Sequence, residues 1–414
     1  MGLRASAHQP LPSPRMSIMV LSWFASKLSP IAVDIGTESI KLLQVEPREH
    51  QFRLVAAAGE TIPEEVRGRS AEREAFIGEA LKKMLNDGFR GKQVVTCLPS
   101  HVMAIQHLRM GKMSAEELAK ALPYEAAGKL PFDPQRAVLR HQVAGEVYQN
   151  QETKQEVIVM AAPRDSVDRF LNLLSKQKLE VVGIHVEPNA LIECFNHIFR
   201  RKGDENICTL FIDMGAGATH VVIAHGKNMV FAKHLSVGGD VLNRAVADHV
   251  KCSIEQAKDM RIRASKQEAT ASRLPAGVVG IGADANTHPL GRQNGAGLAG
   301  IDPETVEKVN EATREHVETL MTELMLCVRY YEGIYPGRVV DRAIFVGGES
   351  RHIPLCQKIA QRLCVPATLG DPLARLLKDQ ATQTNLDVRQ PQPGWAIAVG
   401  LSLGLSPAGV EKEA

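Results

Sequence analysis

IAVDIGTESIKLLQVE, residues 31–46, is the stretch on which the reading of this 414-residue chain turns. Ile31, Ala32 and Val33 lead into Asp34; Gly36, Thr37 and Ser39 follow, and then the mostly apolar run Lys41-Leu42-Leu43-Gln44-Val45. The pattern predicts two antiparallel strands joined by a tight turn, with Gly36 allowing a backbone path that a larger side chain would block. Such a turn exposes backbone N–H groups, the Thr37 and Ser39 hydroxyls and the Asp34 carboxylate. Donors of that kind hold a phosphate, and the carboxylate can hold a hydrated Mg²⁺. Alone, Asp-Ile-Gly-Thr is as readily an ordinary turn.

The second half of the chain repeats the form. CTLFIDMGAGATHVV, residues 208–222, carries an apolar run, Asp213, Gly215, Gly217 and Thr219, and then the β-rich His220-Val221-Val222-Ile223. Two Asp-x-Gly hairpins so far apart predict two similar domains, each offering a phosphate-gripping hairpin to a shared cleft.

Bulk properties agree with that plan. A chain of 414 residues exceeds one typical core and fits two domains with subdomains. With 44% hydrophobic but only 4% aromatic residues, its core rests on Leu, Ile, Val, Ala and Met. A formal charge of +2 gives no reason to expect nucleic acid or an anionic membrane as main partner. Seven scattered cysteines, an odd number without metal-ligand spacing, indicate reduced thiols and a cytoplasmic setting. No stretch reaches the roughly 18 apolar residues of a spanning helix. The nearest, residues 16–28, is interrupted by Lys27 and followed by Pro30, so membrane contact is expected mainly through partners.

The chain divides as a tail with a short amphipathic helix (1–29), a first lobe (30–99, resuming at 163–205), an inserted α+β subdomain (100–162), a second lobe (206–378), and a loose linker with a last core element and tail (379–414). Ser114 with Glu117 forms a capping-box pattern opening a helix that should meet Pro123. Residues 265–300 hold many glycines and no Phe, Trp or Tyr; they read as a flexible surface insertion in the second lobe.

Together these blocks resemble the actin-like ATPase superfamily and, more narrowly, the PilM family of type IV pilus assembly. Asp34-Ile35-Gly36-Thr37 is similar to its first phosphate motif, Asp213 to Thr219 to its second, and Val346-Gly347-Gly348-Glu349-Ser350 to its adenosine motif. The narrower likeness rests on Met113-Ser114 with Glu116-Glu117, Tyr124-Glu125-Ala126, Leu130-Pro131-Phe132 and Ala396 to Leu401.

The resemblance implies an α/β fold: two lobes, each with a five-stranded mixed sheet plus helices, closing on a nucleotide, and a small α+β subdomain inserted in the first. It implies ATP and Mg²⁺ as cofactors, with Asp34 and Asp213 as metal ligands. Gly36, Thr37, Ser39 and Lys41 fall in the first phosphate loop, Gly215, Gly217 and Thr219 in the second, and Gly239, Arg261, Gly347 and Gly348 toward the nucleoside. Strand alternation leaves the direction of Lys41 open. Glu187 and Asp213 take the catalytic positions around the attacking water; the plain alternative for Glu187 is a first-turn carboxylate favoured by the helix dipole.

One departure is visible: Lys258 and Arg261 stand where relatives place an acid and a lysine, and Glu349 replaces a small residue. The implied function is a cytoplasmic nucleotide-dependent scaffold or switch, a weak Mg-dependent ATPase at most. It would lie peripheral to the inner membrane and bind the cytoplasmic N-terminal peptide of an inner-membrane pilus assembly protein, with self-association as a further option. That peptide would dock between the inserted subdomain and the first lobe, near Val102–His107 or Val157–Met160. The rivals are a type II secretion component and the cell-division actin-like protein. Residues 402–414 do not form the amphipathic helix in which the division protein normally ends.

Overall fold

The structure, a computed structural model, describes residues 28–49, 51–149, 151–199, 202–271, 287–289 and 301–404. Most of the expected N-terminal helix, most of the 265–300 insertion and the tail beyond 404 lie outside the described residues.

The strands, in chain order, are β1 (Ile31–Ile35), β2 (Ser39–Arg48), β3 (Gln51–Thr61), β4 (Gln93–Cys97), β5 (Ala104–Gly111), β6 (Ala137–Gln149), β7 (Glu152–Pro163), β8 (Glu180–His185), β9 (Cys208–Met214), β10 (Thr219–His225), β11 (Asn228–Leu235), β12 (Thr287–Pro289), β13 (Arg342–Val346), β14 (Ala367–Gly370), β15 (Leu376–Leu377) and β16 (Gln383–Thr384). The first sheet has the core order β3-β2-β1-β4-β8 and the second the core order β11-β10-β9-β13-β14. In both, an antiparallel meander of three strands is extended by two parallel ones. The expected five strands per lobe are thus present. Short additions widen each sheet: β15 and β16 run beside β3, and β12 runs beside β14.

Strand composition explains why both sheets are buried on two faces. Ile31 to Ile35 and the Cys208–Met214 run are almost continuously apolar and inaccessible, the pattern of a central strand covered by helices on both sides. A third sheet, β5-β7-β6, lies in the chain between the neighbouring strands β4 and β8. Its helix, Ala115–Glu125, starts on the Ser114/Glu117 capping box. This helix was expected to stop at Pro123 but runs through it. A proline there loses one helical N–H bond and crowds the carbonyl four residues back, but it falls in the last turn, and the buried Leu118 and Leu122 hold the segment down.

The last helix, Ala396–Gly404, is buried over residues 396–403 and lies against helix Glu187–Phe195 and against β1 and β2. Its helix–helix contact is set by Gly400: a Cβ there would lie 1.7 Å from the Ala190 carbonyl oxygen. Only a residue without a side chain lets the two backbones approach so closely. Gly400→Ala should therefore destabilise the chain by about 3 kcal/mol, the upper end of overpacking costs, because the obstacle is helical backbone. Denaturant midpoints of the two chains check this; equal midpoints would mean the helices separate at no cost.

Candidate functional site

The two core hairpins meet tip to tip. In each, the glycine two residues after the aspartate donates its N–H across the turn: Gly36 to the Ser39 carbonyl and Gly215 to the Ala218 carbonyl, both at 2.9 Å. Register gives them a second likeness. Asp34 sits opposite Lys41, and Asp213 sits opposite His220, each partner seven residues after its acid. A Cβ on Gly217 would come within 2.4 Å of the Thr37 hydroxyl oxygen, so the two loops all but touch.

Between them lies a cleft of 300 Å³. Asp34, Gly36, Thr37, Ser39, Lys41, Glu187, Asp213, Gly215, Gly217, Gly347 and Gly348 all line it. Gly347 is required there. Its φ is +88°, and a Cβ would strike the Met214 carbonyl and the Asp213 carboxylate, 2.3 and 2.4 Å away. Three predicted residues do not face this cleft. The Thr219 hydroxyl is buried and donates to the Val237 carbonyl at 2.7 Å. Gly239 is covered by the Glu349 side chain. Arg261 is buried and lines an adjoining cavity of 630 Å³.

The charges at the base of the cleft are mutually dependent. Burial raises the pKa of Asp34; Lys41, 3.5 Å away, partly offsets that, and the charge on Glu187 adds to it. Burial likewise pushes Asp213 up to about 6, with His220 opposing and Glu187 reinforcing. For His220, burial disfavours the imidazolium, but the Glu187 carboxylate 2.8 Å from Nδ1, and then Asp213 and Asp34, raise it to about 9. His234, whose Nε2 lies 2.7 Å from Nε2 of His220, is pushed down to about 4 by burial and then by the His220 charge. His220 was not singled out in the sequence, although it stands at the same offset from Asp213 as Lys41 from Asp34.

The residues that depart from the family pattern each have a structural partner. Lys258 of helix Ile254–Ala271 pairs with Glu38 at the first hairpin's tip. Arg261 reaches Glu349 at 2.6 Å and the Asn243 side-chain oxygen at 2.5 Å. Arg67 of the first lobe bonds both Glu38 and Asp240, each at 3.2 Å, the second contact crossing to the other lobe.

The strands named for partner docking differ in what they offer. β7 is the middle strand of its sheet, and Val157–Met160 is buried, so it has no open edge for a further strand. β5 is an edge strand. It lines a groove of 1090 Å³ that lies between the inserted subdomain and the second lobe, bounded across the way by Phe231–His234 and Leu326–Tyr330. The sequence had placed the docking groove against the first lobe.

Residues 32–273, more than half of the chain, match the family model described as "Type IV pilus assembly protein PilM". The chain belongs to the PilM family. Residues 202–380 also match the model of the MreB/Mbl protein. Among solved structures, the chain is similar to the "PilM-PilN type IV pilus biogenesis complex", at 20% identity and a TM-score of 0.69 over 91% of this chain and 98% of that one. It also aligns with ethanolamine utilization protein EutJ from Carboxydothermus hydrogenoformans, at 12% identity and a TM-score of 0.48 over 95% of this chain and 91% of that one. No curated protein matches. The PilM match thus carries the family, and the likeness to the pilus complex shows the actin-like ATPase fold. Among the described residues, no helix is long and apolar enough to cross a membrane.

His220 links this site to stability. Its folded pKa of about 9 exceeds its ordinary value of 6.5, so its contribution is complete below pH 6.5 and is lost as pH rises through about 9. Over that window the wild type should lose on the order of 3 kcal/mol of stability, while His220→Gln should give a flatter profile. Denaturant midpoints across the pH series check this, and parallel profiles would show that the ion pair contributes nothing.

Proposed function

We propose that this PilM-family protein is a nucleotide-dependent switch in type IV pilus assembly, and that its cleft binds Mg-ATP. One observation carries the reading: two equivalent hairpins from opposite lobes direct Asp34 and Asp213 into the same cleft, with glycine-bearing turns beside them. Burial raises the pKa of both Asp34 and Asp213, Glu187 adds to both, and Asp34 adds further to Asp213. Crowded carboxylates of this kind are the oxygen donors a hard divalent cation requires, so the residues fit Mg²⁺. When bound, Mg²⁺ would neutralise charge on the β- and γ-phosphates. Lys41 and the loop residues Thr37, Ala216 and Gly217 line the same space; the Lys41 ammonium and loop N–H groups not spent within the turns would bind the remaining phosphate oxygens.

Glu187 is the carboxylate that would orient a water, and its close contact with His220 supports slow hydrolysis. A carboxylate oxygen already engaged by another side chain is less free to position a water. The pairs Glu38–Lys258 and Arg67–Asp240 join the lobes over the cleft and would open to admit nucleotide.

The partner in this reading is the cytoplasmic N-terminal peptide of an inner-membrane pilus assembly protein. It would hold the chain at the inner face of that membrane and add a strand to the open edge of β5. A solved PilM-PilN complex on the same fold supports a peptide of that kind.

Isothermal titration of the purified chain with Mg-ATP should show saturable binding, weakened at least about tenfold by Asp34→Ala and by Asp213→Ala, the order expected for lost metal ligands. Identical titrations for all three chains would remove the basis for a nucleotide cleft. For the partner, fluorescence anisotropy of the labelled peptide should show binding to the wild type and loss of at least about 1.4 kcal/mol, tenfold, in Ile105→Asp on β5. Unchanged affinity would place the peptide elsewhere.

A further inference from the structure

The register of the second hairpin puts two histidines side by side: on the antiparallel pair β10/β11, His220 is directly opposite His234. Cross-strand neighbours bring their side chains within reach of one common point. Glu187, the first residue of helix Glu187–Phe195, enters from a third element. One donor atom from each of Glu187, His220 and His234 falls within 4.8 Å of the others. We propose that Glu187, His220 and His234 form a binding site for a borderline divalent transition metal such as Zn²⁺, separate from the Mg²⁺ position between Asp34 and Asp213.

The donor chemistry selects the class of ion. Two imidazoles and a carboxylate form the ligand set of zinc sites that keep a fourth position open, whereas Mg²⁺ requires oxygens throughout. The present contacts use two edges of the His220 ring, Nδ1 toward Glu187 and Nε2 toward His234, so metal binding on the Nε2 side would turn the Glu187 carboxylate toward that edge. Glu187 Oε2 lies 2.8 Å from His220 Nδ1, yet it is buried and accepts no hydrogen bond of acceptable direction. The two imidazole Nε2 atoms face each other at 2.7 Å, which requires one proton between them. A metal would replace that proton, which leaves to solvent. Two nitrogens bound tetrahedrally at zinc distances stand roughly 3.3 Å apart, so the rings need to separate by only about 0.6 Å from the 2.7 Å seen here.

The site can be reached. His220 lines the cleft between the hairpins, and His234 lines the groove beside β5, so the pair bridges two openings. This inference stands on these three side chains and does not depend on nucleotide binding.

The test uses the full chain without nucleotide. Co²⁺ is titrated while visible absorption is followed, and Zn²⁺ affinity is measured by competition with a chromophoric chelator. The wild type should take up one equivalent of Co²⁺, with ligand-field bands and no sulfur-to-metal charge-transfer band. The latter separates this site from the exposed Cys364 and half-buried Cys252 thiols. His234→Ala and, as a second variant with the carboxylate shape retained, Glu187→Gln should each weaken Zn²⁺ binding at least about tenfold, with circular dichroism confirming that both fold. Equal Zn²⁺ affinity in the wild type and His234→Ala, or a thiolate band in the cobalt spectrum, would overturn the proposal.

Discussion

Everything at the centre of this molecule depends on holding Asp34, Asp213 and Glu187 together away from bulk water. Burial disfavours these charges and their mutual repulsion adds to that, so the pKa values of Asp34 and Asp213 are both raised. The fold answers by register. Each hairpin places a cation opposite its own aspartate: Lys41 in one lobe and His220 in the other. Because the pairing is fixed by backbone hydrogen bonds, the balancing charges cannot drift from the acids they offset. Glu187 then ties the two halves together by drawing charge onto His220.

Closure around this centre uses ordinary packing and a few long-range ion pairs. The last helix passes beneath the cleft through the Gly400 contact and brings Trp395 into a core shared by residues of both lobes. Above the cleft, Glu38, Arg67, Asp240 and Lys258 join the lobes with charges that are partly exposed. Partly solvated pairs are weakly stabilising, so they would give way more readily than a buried apolar contact.

The architecture was legible in the sequence wherever the signal was local. Apolar runs ending in Asp-x-Gly, the Ser114/Glu117 cap and the apolar block at 396–403 each fix their own structure over a few residues. The glycines at the two hairpin turns were legible for the same reason. What escaped depended on distant partners. Lys258 and Arg261 read as altered ligands because their acids lie 220 and 88 residues away. The Thr219 hydroxyl was assigned outward, but the loop at Val237 supplies an acceptor behind it. The role of His220 needed helix Glu187–Phe195 to arrive from another part of the chain. The edge character of β5, against the interior position of β7, is a property of sheet order that alternation within a strand does not encode.

The inserted subdomain is attached in two different senses. Covalently it belongs to the first lobe, leaving after β4 and returning before β8. Non-covalently it packs Val138 and Ala162 against the first lobe's core and is also fastened to the second lobe. Glu156, fully buried on β7, accepts from Tyr330 on the long helix Pro303–Ile334 at 2.9 Å and contacts His107 and Arg109 of β5, while His107 Nε2 lies 3.0 Å from the Ala232 carbonyl. A hinge motion that parts the lobes must therefore either swivel the subdomain against its packing on the first lobe or break the Tyr330–Glu156 and His107–Ala232 contacts. Breaking those contacts would leave the buried Glu156 one donor short and His107 without its carbonyl partner, which opposes that route, so the swivel is the softer one. A tug on the subdomain from outside would then be felt as torque between the lobes.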